Sequence, residues 1–147
     1  RYEMLTLGQE TLAPFSRADG EGRPVWRLPG SASAKLPFLS YASGAYMARL
    51  VEHILKAAPQ PPQLNLVYET DMAESLKAMA LEGHGLAFLP ASSVKKDVRA
   101  KRLAPAGEPG AWETTMDVRI VRERPQSARG VKPGAAALWE HLAVQEV

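Results

Sequence analysis

Apolar runs and amphipathic segments alternate through the middle of the chain. In chain order, we expect strand 36–41, helix 46–58, strand 64–68, helix 71–82, strand 86–89 and a short helix over 94–98. Strands that alternate with helices favour parallel pairing with right-handed crossovers, because each helix carries the chain back across the sheet. The pattern therefore predicts an α/β unit with three parallel strands. We expect the apolar stripes of the first two helices, which include Tyr46 and Met72, to face this sheet.

Side chains at the predicted helix ends indicate where each helix starts and stops. The expected N-caps are Ser43 for the first helix, Asp71 with Glu74 as a capping box for the second, and Ser92 or Ser93 for the third. The prolines from Pro59 to Pro62 stop the first helix, because proline lacks a backbone donor. Gly83 ends the second, since a residue without Cβ tolerates a left-handed cap.

The segments before this unit are less regular. Gly8 predicts a turn ahead of a short strand over 11–15, and Pro14 predicts that this strand lies at an edge or crosses between parts of the fold. Residues 17–35 are rich in Asp, Gly, Pro and Ser, which predicts a linker with Trp26 as its large anchor.

The segments after it contain one strand and one helix by pattern. Apolar and polar residues alternate over 115–122, which is typical of a half-buried strand. A linker over 124–132 then leads to a helix expected over 134–144.

Composition narrows the function classes. The chain has 147 residues, 46% of them hydrophobic, which is enough for one domain with a core. Eighteen Lys and Arg against 16 Asp and Glu leave a net charge of +2, too little for a domain-wide nucleic-acid surface. No cysteine is present, so disulfides and thiolate metal sites are excluded. No apolar run reaches the roughly 18 residues that span a bilayer, so we expect a cytoplasmic protein without membrane contact. The sequence starts with Arg1 inside an amphipathic stretch, so we also expect it to be a piece of a longer polypeptide.

The sequence offers little support for catalysis or metal binding. His53, His84 and His141 lie in separate predicted elements, and no HExxH, GxSxG, Walker or GxGxxG motif occurs. We therefore expect no enzyme activity, no metal site and no cofactor. His84, between two glycines, fits a turn between a helix and a strand better than a catalytic base.

A binding site has more support. Ligands of parallel α/β sheets bind beyond the carboxyl ends of the strands, where helix N-termini present unpaired N–H groups. The candidate ligand-binding residues at that edge are Ser40, Tyr41, Ser43, Gly44, Ala45, Tyr46 and Thr70. Hydroxyls and small residues there suit a small polar or anionic ligand, although capping alone would explain Ser43.

Two methionines have two interpretations. Met47 and Met72 fall in the first turns of the first two helices, so their thioethers could take up an oxidant-derived oxygen beside the ligand site. The alternative is that both belong to the core, which their spacing also explains.

Several motifs together resemble a known family. Residues 81–90, LEGHGLAFLP, resemble the VaaGlGialLP signature of the effector-binding domain in LysR-type transcriptional regulators. Residues 10–14 and 101–105 resemble the e.lvpv and g.Lv.l segments of that domain. Residues 36–41, 46–50 and 71–76 are similar to the hypochlorite-responsive subgroup of that family, which has methionines at the positions of Met47 and Met72.

The resemblance implies a periplasmic-binding-protein-like (type 2) α/β regulatory domain, mainly its second subdomain with crossing strands and part of the first. The implied divisions are a crossing strand and first-subdomain remnant over 1–16, a linker over 17–35, the second subdomain over 36–105, and the return strand and closing helix over 106–147. It also implies a small-molecule or oxidant effector in the cleft between subdomains, a homo-oligomer, and DNA binding only through an N-terminal helix-turn-helix domain outside this chain. The alternatives are a solute-binding domain for a small polar or anionic ligand, or an α/β enzyme that uses His84.

Overall fold

The computed structural model describes the backbone of residues 2–123 and the side chains of residues 8–117. Its elements are β1 (Tyr2–Arg17), β2 (Leu36–Tyr41), α1 (Tyr46–Ala57), β3 (Leu64–Thr70), α2 (Ala73–Leu81), β4 (Leu86–Pro90), a 3₁₀ helix (Ala91–Val94), α3 (Lys95–Arg99), β5 (Leu103–Pro105) and β6 (Thr114–Glu123). Residues 11–114 form one compact unit, and the described residues 2–10 and 115–123 belong to another. The helix expected over 134–144 lies outside the described residues.

The sheet of the larger unit has the strand order β3-β2-β4-β1-β5. β2 runs parallel to both β3 and β4, so the predicted three-stranded parallel arrangement is confirmed. The crossovers pass through α1 and α2, which are long enough to return the chain to the start of the next strand. β1 pairs antiparallel with β4 and β5.

The core of this unit is built around β4. Four of its five residues, Leu86–Leu89, are buried because β4 lies between β2 and β1 and is covered by α2. The rings of Phe38 and Phe88 meet edge to face with centroids 6.2 Å apart. Gly85 precedes β4, and a Cβ at this position would lie 2.7 Å from the carbonyl oxygen of Pro37. Only glycine lets the two backbones come this close.

β1 is longer than the sequence pattern predicts. The predicted turn at Gly8 is wrong, because the strand passes through this residue at φ +130°, a conformation that glycine tolerates. Residues 12–15 pair with β4 and residues 15–17 with β5, so the edge-strand alternative is wrong. β1 has residues in both units, as the alternative of a crossing strand predicts. Pro14 has no N–H to donate to a neighbouring strand, but its carbonyl accepts the N–H of Ala106 at 2.9 Å.

The segment from residue 18 to 35 contains neither helix nor named strand, as predicted. Its main anchor is Leu28, which is 2% exposed, whereas Trp26 is only half-buried. The buried hydroxyl of Ser16 donates to the Trp26 carbonyl at 3.0 Å and accepts the Trp26 N–H at 3.3 Å. These bonds hold the segment against β1.

The predicted cap of α1 is wrong. The N-cap is Ala45 rather than Ser43, because the chain first reverses through Gly44, whose φ is +91°. Within the described chain, no side chain caps α1, and its first turn contains no acidic residue. Proline-rich sequence follows Ala57, where the helix ends as predicted.

The predicted caps of the next two helices are also wrong. α2 begins after Met72, so Asp71 lies one residue too early to form a capping box with Glu74. The third helix, α3, has Val94 as its N-cap rather than Ser92 or Ser93, and the Ser93 hydroxyl donates to the Pro90 carbonyl at 2.8 Å. In this part of the described chain, no side-chain cap forms at the start of α2 or of α3.

The end of α2 agrees with the prediction. Gly83 has φ +86°, its N–H donates to the Ala80 carbonyl, and the His84 N–H donates to the Met79 carbonyl. These two bonds make a Schellman motif, which satisfies carbonyls that the helix end would otherwise leave unpaired.

The expected apolar stripes are buried only in part. Val51 and Ile54 are buried on α1, but Tyr46 is 58% exposed, and Met72 is 59% exposed because it lies ahead of α2 rather than within it. β3 forms one end of the strand order, and its central side chains are exposed.

The smaller unit contains the predicted strand after residue 114. β6 pairs with β1, and the Gln9 side chain donates to the Asp117 carboxylate at 3.3 Å. The boundaries of β6 differ from the predicted 115–122 by one residue at each end.

Candidate functional site

The carboxyl ends of β2, β3 and β4 meet at one edge of the sheet, because these strands are parallel. Tyr41 at the end of β2 pairs in register with Thr70 at the end of β3. The Ala42 N–H extends the pairing by donating to the Thr70 carbonyl at 2.9 Å. Predicted site residues that are 29 positions apart in sequence are therefore neighbours, and we call this region the carboxyl edge.

The turn from β2 into α1 presents backbone donors at the carboxyl edge. The Ala45 N–H donates to the Ala42 carbonyl at 3.1 Å, which closes the turn and leaves Ser43 and Gly44 exposed. α1 then starts with neither a side-chain cap nor an acidic residue in its first turn, among the residues described. The first N–H groups of a helix and its dipole together favour an anion, so this helix start suits a carboxylate or phosphate group.

Three hydroxyls at the ends of β2 and β3 have different roles. The Ser40 hydroxyl donates to the Tyr41 carbonyl at 3.0 Å, and the Tyr41 hydroxyl donates to the Phe88 carbonyl at 2.8 Å. Burial raises the pKa of Tyr41 above its usual range, so this phenol stays neutral. Thr70 Oγ1 accepts the Met72 N–H at 3.3 Å, which leaves its own proton available to a ligand.

Charge is distributed unevenly along the carboxyl edge. Glu69 and Asp71 flank Thr70 with exposed side chains, whereas the first turn of α1 has no acidic residue. An anionic group would therefore be favoured on the α1 side and repelled on the β3 side. The arrangement fits a small molecule whose negative end lies against α1.

The two candidate methionines lie at the starts of α1 and α2. Met47 is half-buried in the first turn of α1. Met72 is exposed, and its backbone carbonyl accepts the N–H groups of Ser75 and Leu76 at 3.1 and 3.3 Å. The side chain of Met72 is therefore open to solvent while its backbone fixes the start of α2.

His84 is not at the carboxyl edge. It lies in the exposed turn before β4, at the opposite end of that strand, and its Nε2 is 3.2 Å from Glu82 Oε1. This placement favours the turn interpretation. In the part of the chain that the structure describes, no group of three or more His, Cys, Asp or Glu side chains is placed to hold a metal ion. Among residues 2–123, no helix is both long and apolar enough to cross a membrane.

Comparison with known proteins identifies the family. The family model of the LysR substrate binding domain matches residues 5–145. The chain belongs to this family. Its fold is the type 2 periplasmic-binding-protein-like α/β fold, with a mixed sheet and helices. This LysR substrate binding domain is the effector-binding regulatory domain of a LysR-type regulator.

Relatives of this LysR substrate binding domain include transcriptional regulators. HTH-type transcriptional regulator YjiE from Escherichia coli K12 is 28% identical over 102 residues, which are 69% of this chain and 32% of YjiE. The crystal structure of Vibrio fischeri DarR in complex with DNA is 25% identical, with a TM-score of 0.76 over 97% of this chain and 45% of DarR. Full-length HypT from Salmonella typhimurium, a hypochlorite-specific LysR-type regulator, is 21% identical, with a TM-score of 0.75 over 99% of this chain and 46% of HypT. The chain spans less than half the length of each.

A second cluster of the LysR substrate binding domain does not follow from the sequence patterns above. A cavity of about 530 Å³ lies beside α2 and α3, and its charged lining consists of Lys77, Lys95, Lys96, Asp97, Arg99 and Arg102. We call it the basic pocket. Five of these residues lie in the charged segment 95–102, so the sequence could have indicated a basic surface there. Lys77 comes from α2, and its place beside that segment does not follow from sequence spacing.

Proposed function

We propose that this LysR substrate binding domain senses a small polar or anionic effector at the carboxyl edge, and that the effector controls DNA binding by a helix-turn-helix domain elsewhere in the longer protein. The observation that supports this most directly is the uncapped start of α1, which follows β2 at the same edge of the sheet as Thr70. The division of the chain into the segments 1–16, 17–35, 36–105 and 106–147 remains a prediction.

The proposed contacts follow from the donors at the edge. The anionic group of the effector accepts hydrogen bonds from the N–H groups in the first turn of α1, near Ser43 and Tyr46, and the Thr70 hydroxyl donates to a neutral polar atom of the effector. Tyr41 positions β2 against β4 and does not contact the effector, since its hydroxyl is bonded to Phe88. The effector shifts the regulator between two arrangements to the extent that it binds one of them more tightly.

A change of charge at the N-cap of α1 tests the proposal. Ala45 has extended backbone angles that suit a capping side chain, so Ala45→Asp and Ala45→Asn should each stabilise α1 by about 1 kcal/mol. Ala45→Asp also places a carboxylate where the anion binds. We expect Ala45→Asp to weaken an anionic effector more than Ala45→Asn does, because only the aspartate adds repulsion.

The measurement is a thermal-shift screen of carboxylate and phosphate metabolites, followed by calorimetric titration of each hit. Thr70→Val should weaken binding by roughly two- to tenfold, the cost of losing one neutral hydrogen bond. Thr115→Val, on an exposed position of β6, is the matched control. Equal affinities for Ala45→Asp and Ala45→Asn, with no loss for Thr70→Val, would refute a site at this edge.

A second candidate function is oxidant sensing through Met47 and Met72. The exposed side chain of Met72 favours it, as does the likeness to HypT, which is hypochlorite-specific. In the reaction, the thioether sulfur loses two electrons and gains oxygen, the chlorine of hypochlorous acid is reduced to chloride, and a proton is released. The product is a polar sulfoxide in place of an apolar thioether.

Peptide mass spectrometry after limited hypochlorite treatment tests this candidate. We expect sulfoxide first at Met72 and then at Met47, with the half-buried Met79 as the reference. Exposure alone would oxidise Met72, so the decisive readout is DNA binding by the longer protein. Met47→Gln with Met72→Gln should reproduce the effect of hypochlorite, and the corresponding leucine variants should abolish it. Full response of the leucine variants would exclude these methionines.

We further propose that the protein forms a homo-oligomer. β3 is an edge strand of the larger unit whose exposed apolar side chains include Leu66, Val67 and Tyr68. An unpaired edge with apolar side chains is a surface for another chain. Leu66→Lys should lower the mass measured by light scattering at a given concentration, whereas Lys56→Gln on α1 should not. An unchanged mass for Leu66→Lys would place the interface elsewhere.

The remaining expectations concern the longer protein. We expect it to be cytoplasmic, to act without a cofactor or enzyme activity, and to contact DNA only through its N-terminal domain. Fractionation of cells that express the whole gene tests the first of these expectations. A DNA-binding assay with and without residues 1–147 of this chain tests the last.

A further inference from the structure

The basic pocket is separate from the proposed effector residues, none of which lines it. Lys77 enters it from α2, and the other charged side chains come from α3 and the residue run that follows. A volume of about 530 Å³ is within the range of pockets that hold small molecules. The pocket is therefore large enough for a metabolite, and its lining determines which kind.

The lining is strongly positive. Five cationic side chains face one carboxylate, which gives the pocket a net charge of +4, whereas the whole chain carries only +2. Like charges that line one pocket repel one another, so their proximity costs folding free energy unless an anion is present. The pocket thus combines a net positive charge with a concave shape.

Asp97 holds two of the cations in position. The buried Asp97 accepts Arg102 Nε and Nη2 at Oδ1, both at 3.1 Å, and Lys77 Nζ lies 3.5 Å from Oδ2. Lys77 also donates to the Ser93 carbonyl at 2.8 Å. These contacts fix the two side chains at the wall of the pocket and neutralise a single positive charge.

The other three cations have no ion-pair partner among the described side chains. Lys95, Lys96 and Arg99 are exposed at the rim of the pocket. Arg99 offers a planar guanidinium that can bind two oxygens of one phosphate, and the lysines add point charges. This combination selects for several negative charges on a small, oxygen-rich group.

We propose that the basic pocket binds a small phosphate-bearing anion at a site distinct from the carboxyl edge. Inorganic pyrophosphate is the probe, titrated by calorimetry into the 147-residue chain at constant ionic strength. We expect saturable one-site binding that Lys96→Gln with Arg99→Gln weakens at least tenfold. Both residues are exposed, so the variant should keep the unfolding temperature of the wild type.

A charge-matched control separates the pocket from overall charge. Arg27→Gln with Lys35→Gln removes two exposed cations outside the lining and should leave pyrophosphate affinity unchanged. Thr70→Val should also leave it unchanged, so this proposal and the effector proposal fail separately. Absence of binding, or an equal loss in the control, would overturn the proposal.

Two further titrations identify the source of the phosphate. Inorganic phosphate should bind more weakly than pyrophosphate, because it carries fewer charges. A short DNA duplex should not bind at the same salt concentration. Tighter binding of the duplex, with displacement of pyrophosphate, would overturn the small-anion assignment and make this surface a nucleic-acid contact.

Discussion

Replacing Tyr41 by phenylalanine removes one buried hydrogen bond and one buried titratable group. The Tyr41 hydroxyl donates to the Phe88 carbonyl at 2.8 Å, and the side chain is 3% exposed. A neutral hydrogen bond of this kind contributes about 1 kcal/mol to the free energy of unfolding. We therefore expect Tyr41→Phe to be less stable than the wild type at pH 7 by that amount.

The deficit should disappear at alkaline pH. Burial raises the pKa of Tyr41 above its usual value of 10.0. The folded protein then keeps the phenol proton at pH values where the unfolded chain has lost it, so the free energy of unfolding falls as the pH rises above 10. For a phenol that stays protonated in the folded state, this loss reaches about 1.4 kcal/mol at pH 11. Tyr41→Phe has no such proton, so the two stability curves should cross between about pH 10 and pH 11.

Urea unfolding followed by tryptophan fluorescence from pH 7 to pH 11 measures both effects. Other groups titrate alike in the two proteins, so the difference between their free energies of unfolding isolates Tyr41. Tyr46→Phe removes a hydroxyl from an exposed side chain and should leave the free energy of unfolding at pH 7 unchanged. A deficit of Tyr41→Phe that stays constant from pH 7 to pH 11 would refute the reasoning.

Two further predictions concern stability. Gly85→Ala should lower the free energy of unfolding by about 1–3 kcal/mol, because its Cβ would lie 2.7 Å from the Pro37 carbonyl oxygen, while Gly20→Ala meets no atom within 4 Å and should be nearly neutral by urea titration. Asp97→Asn should cost about 2 kcal/mol, since the buried carboxylate is lost but its partners, Lys77 and the largely exposed Arg102, remain partly solvated. Glu52→Gln breaks an exposed ion pair and should cost less than about 1 kcal/mol, so similar losses for the two changes would contradict the assignment of Asp97 as a buried partner.

Strands whose burial is decided by their own residues were predictable. The boundaries of β2 match the predicted 36–41, because its apolar run is bounded by residues that favour a loop and a turn. The parallel pairing also followed from the alternation of strands and helices. β5 was not found by pattern, because a strand of three residues carries too little periodicity.

Helix starts and the length of β1 depended on backbone geometry that residue type does not determine. Ser43 is a favourable cap in general, but the reversal at Gly44 delays α1 until Tyr46. Gly8 is typical of turns, yet here its freedom at positive φ lets a strand continue. In both places a local preference was overruled by the path that the chain takes.

The sequence predicted the position of the candidate site at the sheet edge, but it did not predict the hydrogen bonds that its side chains make. The pairing of Tyr41 with Thr70 follows from parallel strands alone. The direction of the Tyr41 hydroxyl towards β4 does not, since it depends on which strand is the neighbour. The contact between Lys77 and Asp97 was likewise out of reach, because 20 residues and a strand separate them.

The open edge of β3 also affects how the protein behaves in solution. Its seven residues, LNLVYET, contain neither proline nor glycine and a single charge, Glu69. Segments of this composition stack into cross-β fibrils when their edges stay uncovered. The surface that suits a second copy is therefore also a nucleus for aggregation, and Glu69 is the gatekeeper residue that opposes it. We expect removal of that one charge to raise the rate of aggregation.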